Sequence, residues 1–246
     1  MKILVCISKA PDTTTKITFT DGDTKFNEAG VQYIVNPYDE WYALVRALEL
    51  VEKNGGTVTT ITVGGAENDP IIRKALAIGA DDAVRIDASA NDAFFVASEI
   101  AHYAGGKGFD LILAGKETIN YNGSQVPGIL AELLNMPFVS QATKLDVNGT
   151  IASMERDVQG GVEVLEADLP LVLSAAKGMA EQRIPNMRGI MAARTKKLEV
   201  VPSLGSSSLS ASVKYTLPKA KAECKYIAPE NAGELIDLLH NEAKVI

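Results

Sequence analysis

The fold class is decided by one stretch of the sequence, residues 57–86, which is TVTTITVGGAENDPIIRKALAIGADDAVRI. The β-branched run Thr57–Val63 and the apolar run Ala83–Ile86 are typical of buried strands. Between them, Asp69-Pro70 is predicted to supply the cap and the first-turn proline of a helix, and Gly79 is predicted to end it. A strand, a helix and a second strand in this order predict a right-handed βαβ unit with parallel strand pairing.

The same alternation continues in both directions along the chain. Further strands are predicted at Lys2–Ser8, Leu111–Ala114 and Leu171–Ala175. Further helices are predicted at Asp39–Glu52, with Asn36-Pro37 as its cap and first-turn proline, and at Ala93–Ala104 and Ser124–Leu134. The predicted fold is therefore α/β, a parallel sheet sandwiched by helices.

Two segments depart from this alternation. Between Thr143 and Glu166 the apolar residues alternate around Asn148-Gly149, which predicts a small antiparallel patch. After Val201 a serine-rich linker leads to a predicted helix, Ala232–Ala243, and together they predict an extended C-terminal arm. We therefore expect an α/β domain at residues 1–200 and a linker with an arm at residues 201–246.

Composition excludes several classes of function. The chain has 246 residues and a formal net charge of −7, which argues against bulk binding of nucleic acid. The sequence contains no apolar run long enough to span a membrane, and we expect no membrane insertion. With two cysteines and two histidines, neither a disulfide framework nor a histidine-based metal site is expected. Without an apparent leader sequence, a cytoplasmic protein is expected.

The candidate binding site lies in the loops that follow the predicted parallel strands. Residues 115–125 come after the strand Leu111–Ala114 and lead into a helix at Gly123-Ser124-Gln125, where free N–H groups favour an anion such as a phosphate. Gly64-Gly65 lies in a neighbouring loop. The loop matches neither the G-x-G-x-x-G fingerprint nor the P-loop with its Gly-Lys-Ser/Thr. The alternative is therefore an ordinary Asn/Gly turn with a serine cap. No catalytic constellation accompanies it.

A second candidate surface is the segment 183–197, which follows the strand Leu171–Ala175. It combines five basic residues with Met187, Ile190 and Met191 on an otherwise acidic chain. A mobile, basic loop with methionines is typical of a contact surface for another protein. An ordinary solvated loop is the alternative.

Several short motifs occur together in order along the chain. They are NPYDE at residues 36–40, IRKALAIGAD at residues 72–81, DLILAGK at residues 110–116 and RGIMAA at residues 188–193. Each motif is weak alone, but with this spacing the whole chain resembles the β subunits of electron transfer flavoproteins.

The resemblance implies an adenine nucleotide α-hydrolase-like fold and a heterodimer with an α subunit that holds most of an FAD. It also implies a bound AMP in this chain. By position, the cofactor contacts fall on Cys6 (through its backbone), Asn36, Pro37, Tyr38, Asp39, Val63, Gly115, Lys116, Asn120, Asn122, Gly123, Ser124, Gln125 and Val126.

The resemblance also implies partners. Residues 183–197 become the recognition loop for acyl-CoA dehydrogenases, with the docking residues Arg183, Met187, Arg188, Ile190, Met191 and Arg194. The resemblance further implies that the arm packs against the α subunit and that electrons pass through the FAD to a quinone oxidoreductase. The chain is therefore expected to be an electron carrier in fatty acid oxidation without a bond-making site of its own. The expected compartment is the cytoplasm of a bacterium, or the mitochondrial matrix for a mature eukaryotic form.

The loop at residues 120–127, NYNGSQVP, departs from the family pattern. Electron-bifurcating members hold a second FAD in place of AMP, and their loop carries acidic residues where this chain has Asn120 and Asn122. The loop also lacks part of the pattern of the common respiratory members, with which it shares Gln125. AMP is expected in preference to a second FAD. Two alternatives remain: a bifurcating subunit that oxidises NADH, and a stand-alone nucleotide-binding stress module.

Overall fold

The computed structural model describes residues 1–37, 39–90, 92–221 and 223–246. We number the strands of these residues β1 to β13 in chain order. They are Lys2–Cys6, Lys9–Pro11, Phe19–Thr20, Lys25–Phe26, Tyr33–Val35, Thr57–Val63, Asp82–Asp87, Leu111–Gly115, Phe138–Asn148, Ile151–Val158, Gly161–Asp168, Leu171–Ala175 and Leu198–Pro202.

The helices of the described residues are numbered α1 to α6. They are Asp39–Asn54, Asp69–Ile78, Ala93–Ala104, Val126–Leu134, Met187–Ala193 and Ala232–Asp237, the last continuing as a π-helical turn, Leu238–Glu242. Short 3₁₀ turns precede α2 and α6. Two helix starts differ from prediction, since Asn68 and not Asp69 is the N-cap of α2, and α4 begins at Val126 and not at Ser124.

One large sheet organises the molecule. In the described part of the chain it has nine strands in the order β11-β10-β9-β12-β8-β1-β6-β7-β13, and the strands from β9 to β13 in that order are paired in parallel. Leu44 of α1 and Leu76 of α2 belong to the core on one face of the sheet, whereas Ile100 of α3 and Leu130 of α4 belong to the core on the other. The predicted α/β fold with helices on both faces of a parallel sheet is confirmed.

The strand order reverses at the centre of the sheet. From β1 the chain moves through β6 to β7 on one side, and it then returns to β8 and β12 on the other side. The carboxyl ends of β1 and β8 therefore flank a topological switch point, where open α/β sheets bind ligands.

The sequence predicts the antiparallel patch but does not predict that it joins the main sheet. Strands β9, β10 and β11 form it, and β9 pairs with β12, so that the patch extends the main sheet. Strand β13 extends the opposite edge beside β7, and the described residues form two small antiparallel sheets, β2 with β5 and β3 with β4. None of these last five strands was predicted.

The end of the chain leaves the sheet after Pro202. Most residues from there to Ile246 are exposed, including Leu204, Val213 and Tyr226. Glu99 and Asp92 of the body accept backbone hydrogen bonds from the start of this segment, and Tyr215 stacks on Phe19 at 4.9 Å between ring centroids.

Candidate functional site

Three predicted contact residues end neighbouring strands at the switch point. Cys6 ends β1, Val63 ends β6 and Gly115 ends β8, and these strands are adjacent in the sheet. The side chain of Cys6 is buried, and burial together with the nearby charge of Glu40 raises the pKa of its thiol to about 12. Its side chain is therefore an inert part of the core, and its backbone remains as the group that a ligand could contact.

Asn36 holds the loop that follows β8. Its side chain is fully buried, its Nδ2 donates to the carbonyl of Glu117 (2.9 Å), and its Oδ1 accepts from the N–H of Ile119 (3.1 Å). The predicted cap of α1 is thus wrong for Asn36, because both polar atoms of its amide bond to a loop 81 residues or more away in sequence. Pro37 follows it and is half-buried, and Tyr38 lies outside the described residues.

Gly115 allows β8 to approach the first turn of α1. A Cβ added at this position would lie 2.8 Å from Cγ of Glu40, 2.9 Å from the backbone nitrogen of Glu40 and 3.0 Å from Cβ of Asp39. Asp39 is itself buried, and desolvation raises the pKa of its carboxyl against the lowering effect of Lys116. The close packing places the predicted residues Asp39, Gly115 and Lys116 together.

Glu40 is the site residue that the sequence did not indicate. Only 6% of the residue is exposed, and its two carboxyl oxygens accept hydrogen bonds from the N–H (2.7 Å) and the hydroxyl (2.6 Å) of Ser8. Burial raises the pKa of Glu40 to about 8, although both hydrogen bonds from Ser8 act in the opposite direction. No cation of the described residues forms an ion pair with it. Glu40 therefore fixes the turn after β1 from within the protein.

The distal part of the loop is open and exposed. Asn122 and Ser124 have positive φ angles of 48° and 52°, and Ser124 Oγ donates to Glu117 Oε2 (3.2 Å). Asn120, Gly123 and Gln125 are exposed, and a Cβ at Gly123 would meet no atom within 4 Å.

The start of helix α4 offers unused hydrogen-bond donors. The first helical bond runs from the N–H of Ile129 to the carbonyl of Gln125 (3.1 Å). Within the described ranges, the N–H groups of Ser124, Gln125 and Val126 have no acceptor. Free N–H groups at a helix start are the donor set that a phosphate requires. The residues present here therefore fit a nucleotide phosphate.

A buried arginine supports the glycine turn after β6. Arg85 donates to the carbonyl of Gly64 (3.0 Å) and forms an ion pair with Asp69 at 2.8 Å. Asn68 Nδ2 donates to the carbonyl of Gly65 (3.1 Å). The side chains of Arg85 and Asn68 thus fix the backbone of this turn.

The second candidate surface contains a helix in place of the predicted loop. Asn186 caps α5 by accepting from the N–H of Gly189 (2.9 Å). Met187 is 73% exposed, and Ile190 and Met191 are also exposed. We name these three side chains, together with the exposed Ile184 that precedes α5 in the sequence, the α5 patch.

The arginines around the α5 patch differ from one another. Arg183 forms a two-pronged ion pair with Glu52 (2.7 and 3.1 Å), and its carbonyl accepts from Nε1 of Trp41 (3.2 Å). Arg188 and Arg194 are exposed and form no ion pair with any described residue. Of the three arginines predicted for docking, these two retain an uncompensated charge.

No group of three or more His, Cys, Asp or Glu side chains among the described residues is arranged to hold a metal ion. None of the helices in the described ranges has both the length and the apolar character needed to cross a membrane.

The sequence is similar to a set of flavoproteins. Residues 23–204 match the electron transfer flavoprotein domain family. Over 263 aligned residues, the chain is 40% identical to a protein of Bacillus subtilis described as electron transfer flavoprotein subunit beta, with both chains fully covered. It is 36% identical to the subunit beta of Syntrophomonas wolfei, with 100% of this chain and 98% of that protein covered. The mitochondrial subunit beta of Oryza sativa subsp. indica is 31% identical, again with both chains fully covered.

Proposed function

The chain belongs to the electron transfer flavoprotein β-subunit family, and we propose that it forms a heterodimer with an α subunit, binds AMP, and carries electrons from acyl-CoA dehydrogenases toward a quinone oxidoreductase. In this proposal the α subunit holds most of the FAD, which supplies the redox chemistry when bound. The residues of this chain bind AMP, contact the α subunit and dock the dehydrogenase.

The observation that carries the nucleotide assignment is the loop between β8 and α4. The free N–H groups of Ser124, Gln125 and Val126 donate hydrogen bonds to the phosphate, and the amide of Asn36 keeps the first half of the loop in place. Cys6 and Val63 contribute the ends of the neighbouring strands. Asn120 and Asn122 carry no charge, so that they do not repel a phosphate as carboxylates would.

Two surfaces support the proposed partners. The α5 patch is apolar and exposed and is flanked by Arg188 and Arg194, which suits an acidic dehydrogenase surface with an apolar recess. The arm exposes Leu235 and Ile236 on its short helix, and burial against the α subunit would cover them. Together the two surfaces serve one partner that stays bound and one that exchanges.

The test is to identify the nucleotides in the purified complex. The chain is expressed together with the α subunit encoded in the same organism, and the nucleotides are released by heat and quantified. We expect one FAD and one AMP for each pair of subunits. Asn36→Ala should lower the AMP content and leave FAD in place, whereas Asn54→Ala, at an exposed position at the end of α1, should change neither.

Other compositions would contradict the proposal in different ways. Two FAD for each heterodimer and no AMP would identify a bifurcating subunit that oxidises NADH. A colourless homo-oligomer without an α subunit would identify a stand-alone nucleotide-binding module.

A further inference from the structure

Helices α2 and α5 hold each other at their carboxyl ends. From α2, Nη1 of Arg73 donates to the carbonyls of Ala193 (2.8 Å) and Lys196 (2.7 Å), at and beyond the end of α5. A guanidinium here occupies the carbonyls that a helix end leaves without partners.

The reverse contact comes from the residue that follows α5. The ammonium of Lys196 donates to the carbonyls of Leu76 (3.1 Å), Gly79 (3.3 Å) and Ala80 (2.5 Å), at the end of α2. A cation at the carboxyl end of a helix also interacts favourably with the helix dipole. Arg73 within α2 therefore caps the end of α5, and Lys196, which follows α5, caps the end of α2.

A glycine brings the two helices into contact. A Cβ added at Gly189 in α5 would overlap the carbonyl oxygen of Ala77 in α2. Ala193, the last residue of α5, is buried, and Arg73 lies beside it. The side of α5 that carries Gly189 and Ala193 thus packs on α2, while Met187 and Met191 are exposed.

We propose that Arg73 and Lys196 are positioning residues of the docking surface: their reciprocal caps keep α5 folded on α2, so that the α5 patch is already formed before a dehydrogenase arrives. The inference rests on the proposed docking function and names the residues that make it efficient.

The length of α5 is the physical reason why caps are needed. It has seven residues, and helices this short are marginal in water without tertiary support. The exposed surface of Met187, Ile190 and Met191 gains no stabilisation from burial in the free protein. Without the caps the segment would have to be ordered at the moment of docking, which weakens binding.

The first test measures electron transfer by the intact complex with its α subunit and FAD, using a reduced acyl-CoA dehydrogenase as donor. Arg73→Gln and Lys196→Gln should each raise the KM for the complex about tenfold and leave kcat unchanged. Arg73→Lys keeps a cationic donor and should restore most of the affinity.

Arg46→Gln is the matched control, because Arg46 also joins two elements through a backbone carbonyl, that of Leu145 (2.7 Å), but lies on α1. It should leave the KM unchanged. An equal rise of the KM in Arg46→Gln and Arg73→Gln would overturn the inference. It would mean that both substitutions raise the KM through a general loss of stability and not through the position of α5.

The second test measures amide hydrogen exchange over residues 187–196 in the same complexes without a donor. Exchange should become faster in Arg73→Gln and Lys196→Gln and stay unchanged in Arg46→Gln. Gly189→Ala sharpens the test. Alanine favours a helix, so slower exchange would show that α5 does not depend on α2, whereas faster exchange supports the packing described here.

Met187→Ala separates this inference from the docking function. If Met187→Ala raises the KM and Arg73→Gln does not, docking stands and the positioning role is wrong. If neither variant changes the KM, the docking function itself is wrong, and unchanged exchange in Arg73→Gln would also remove the positioning role.

Discussion

The buried carboxyl of Glu40 should make the stability of the chain fall as the pH rises. Burial raises its pKa from the ordinary 4.5 to about 8, and in the unfolded chain the ordinary value returns. The unfolded state therefore releases this proton at lower pH than the folded state does. The stabilisation is fully present below the unfolded pKa and is lost as the pH rises through the folded pKa.

The size of the effect follows from the two pKa values of Glu40. Each pH unit between them lowers the free energy of unfolding by about 1.4 kcal/mol, so the loss between about pH 5 and about pH 8 should be roughly 3–4 kcal/mol. Glu40→Gln removes the titration but keeps the hydrogen bonds, because the amide accepts from the N–H of Ser8 and donates to its hydroxyl. The variant should match the wild type near pH 5 and exceed it near pH 8.

Urea unfolding across this pH range measures the difference. Fluorescence of Trp41, the single tryptophan of the chain, reports on unfolding, because its side chain is buried in α1 beside the site. Glu132→Gln, at an exposed position on α4, is the control and should follow the wild type at each pH. The difference in the free energy of unfolding between variant and wild type at each pH cancels the contribution of every titrating group that the two chains share.

A difference between Glu40→Gln and wild type that stays constant with pH would refute the reasoning. It would mean that Glu40 is already ionised near pH 5, and that the two hydrogen bonds from Ser8 outweigh the desolvation of the carboxylate. The description of Glu40 as a buried neutral acid at neutral pH would then be wrong.

Two other variants, one single and one double, test the site and the docking surface. Gly115→Ala should destabilise the chain by about 1–3 kcal/mol in urea unfolding, because its Cβ would overlap Glu40, and a stable variant that retains its nucleotide would contradict the close packing. The double change Arg188→Gln with Arg194→Gln should slow electron acceptance at low ionic strength and flatten its salt dependence, since both charges lack partners among the described residues. Equal salt slopes for variant and wild type would remove these arginines from docking.

The central strands could be predicted because their sequence pattern fits only a buried β-strand. Thr57–Val63 and Leu171–Ala175 have the predicted bounds, since a continuous β-branched or apolar run fits a strand that is covered on both faces. Strand β13, Leu198–Pro202, has mixed exposure at the edge of the sheet, and its sequence carries no such pattern. The two-residue strands β3 and β4 are too short to give a periodic signal.

The position of the site could be predicted, whereas its internal contacts could not. Parallel strands bring their carboxyl ends to one edge, so the loops after β1, β6 and β8 had to meet. The sequence NPYDE does not tell whether Asn36 caps a helix or reaches a distant loop. An acid at position 40 is also typical of an exposed first helical turn. Strand β8, through Gly115, and the turn at Ser8 both lie against Glu40, and these are tertiary contacts that the local sequence does not reveal.

Residues 183–197 show why glycine and proline alone do not predict mobility. Pro185 lies before the cap of α5 and not within the helix. Gly189 lies inside the helix, where its missing side chain permits contact with Ala77. A glycine lowers the intrinsic stability of a helix, but here it also creates the packing that supports the helix. The basic residues divide in the same way, because Lys196 caps α2 while Arg188 remains exposed. The same composition therefore serves a rigid support on one side of α5 and a charged, apolar surface on the other.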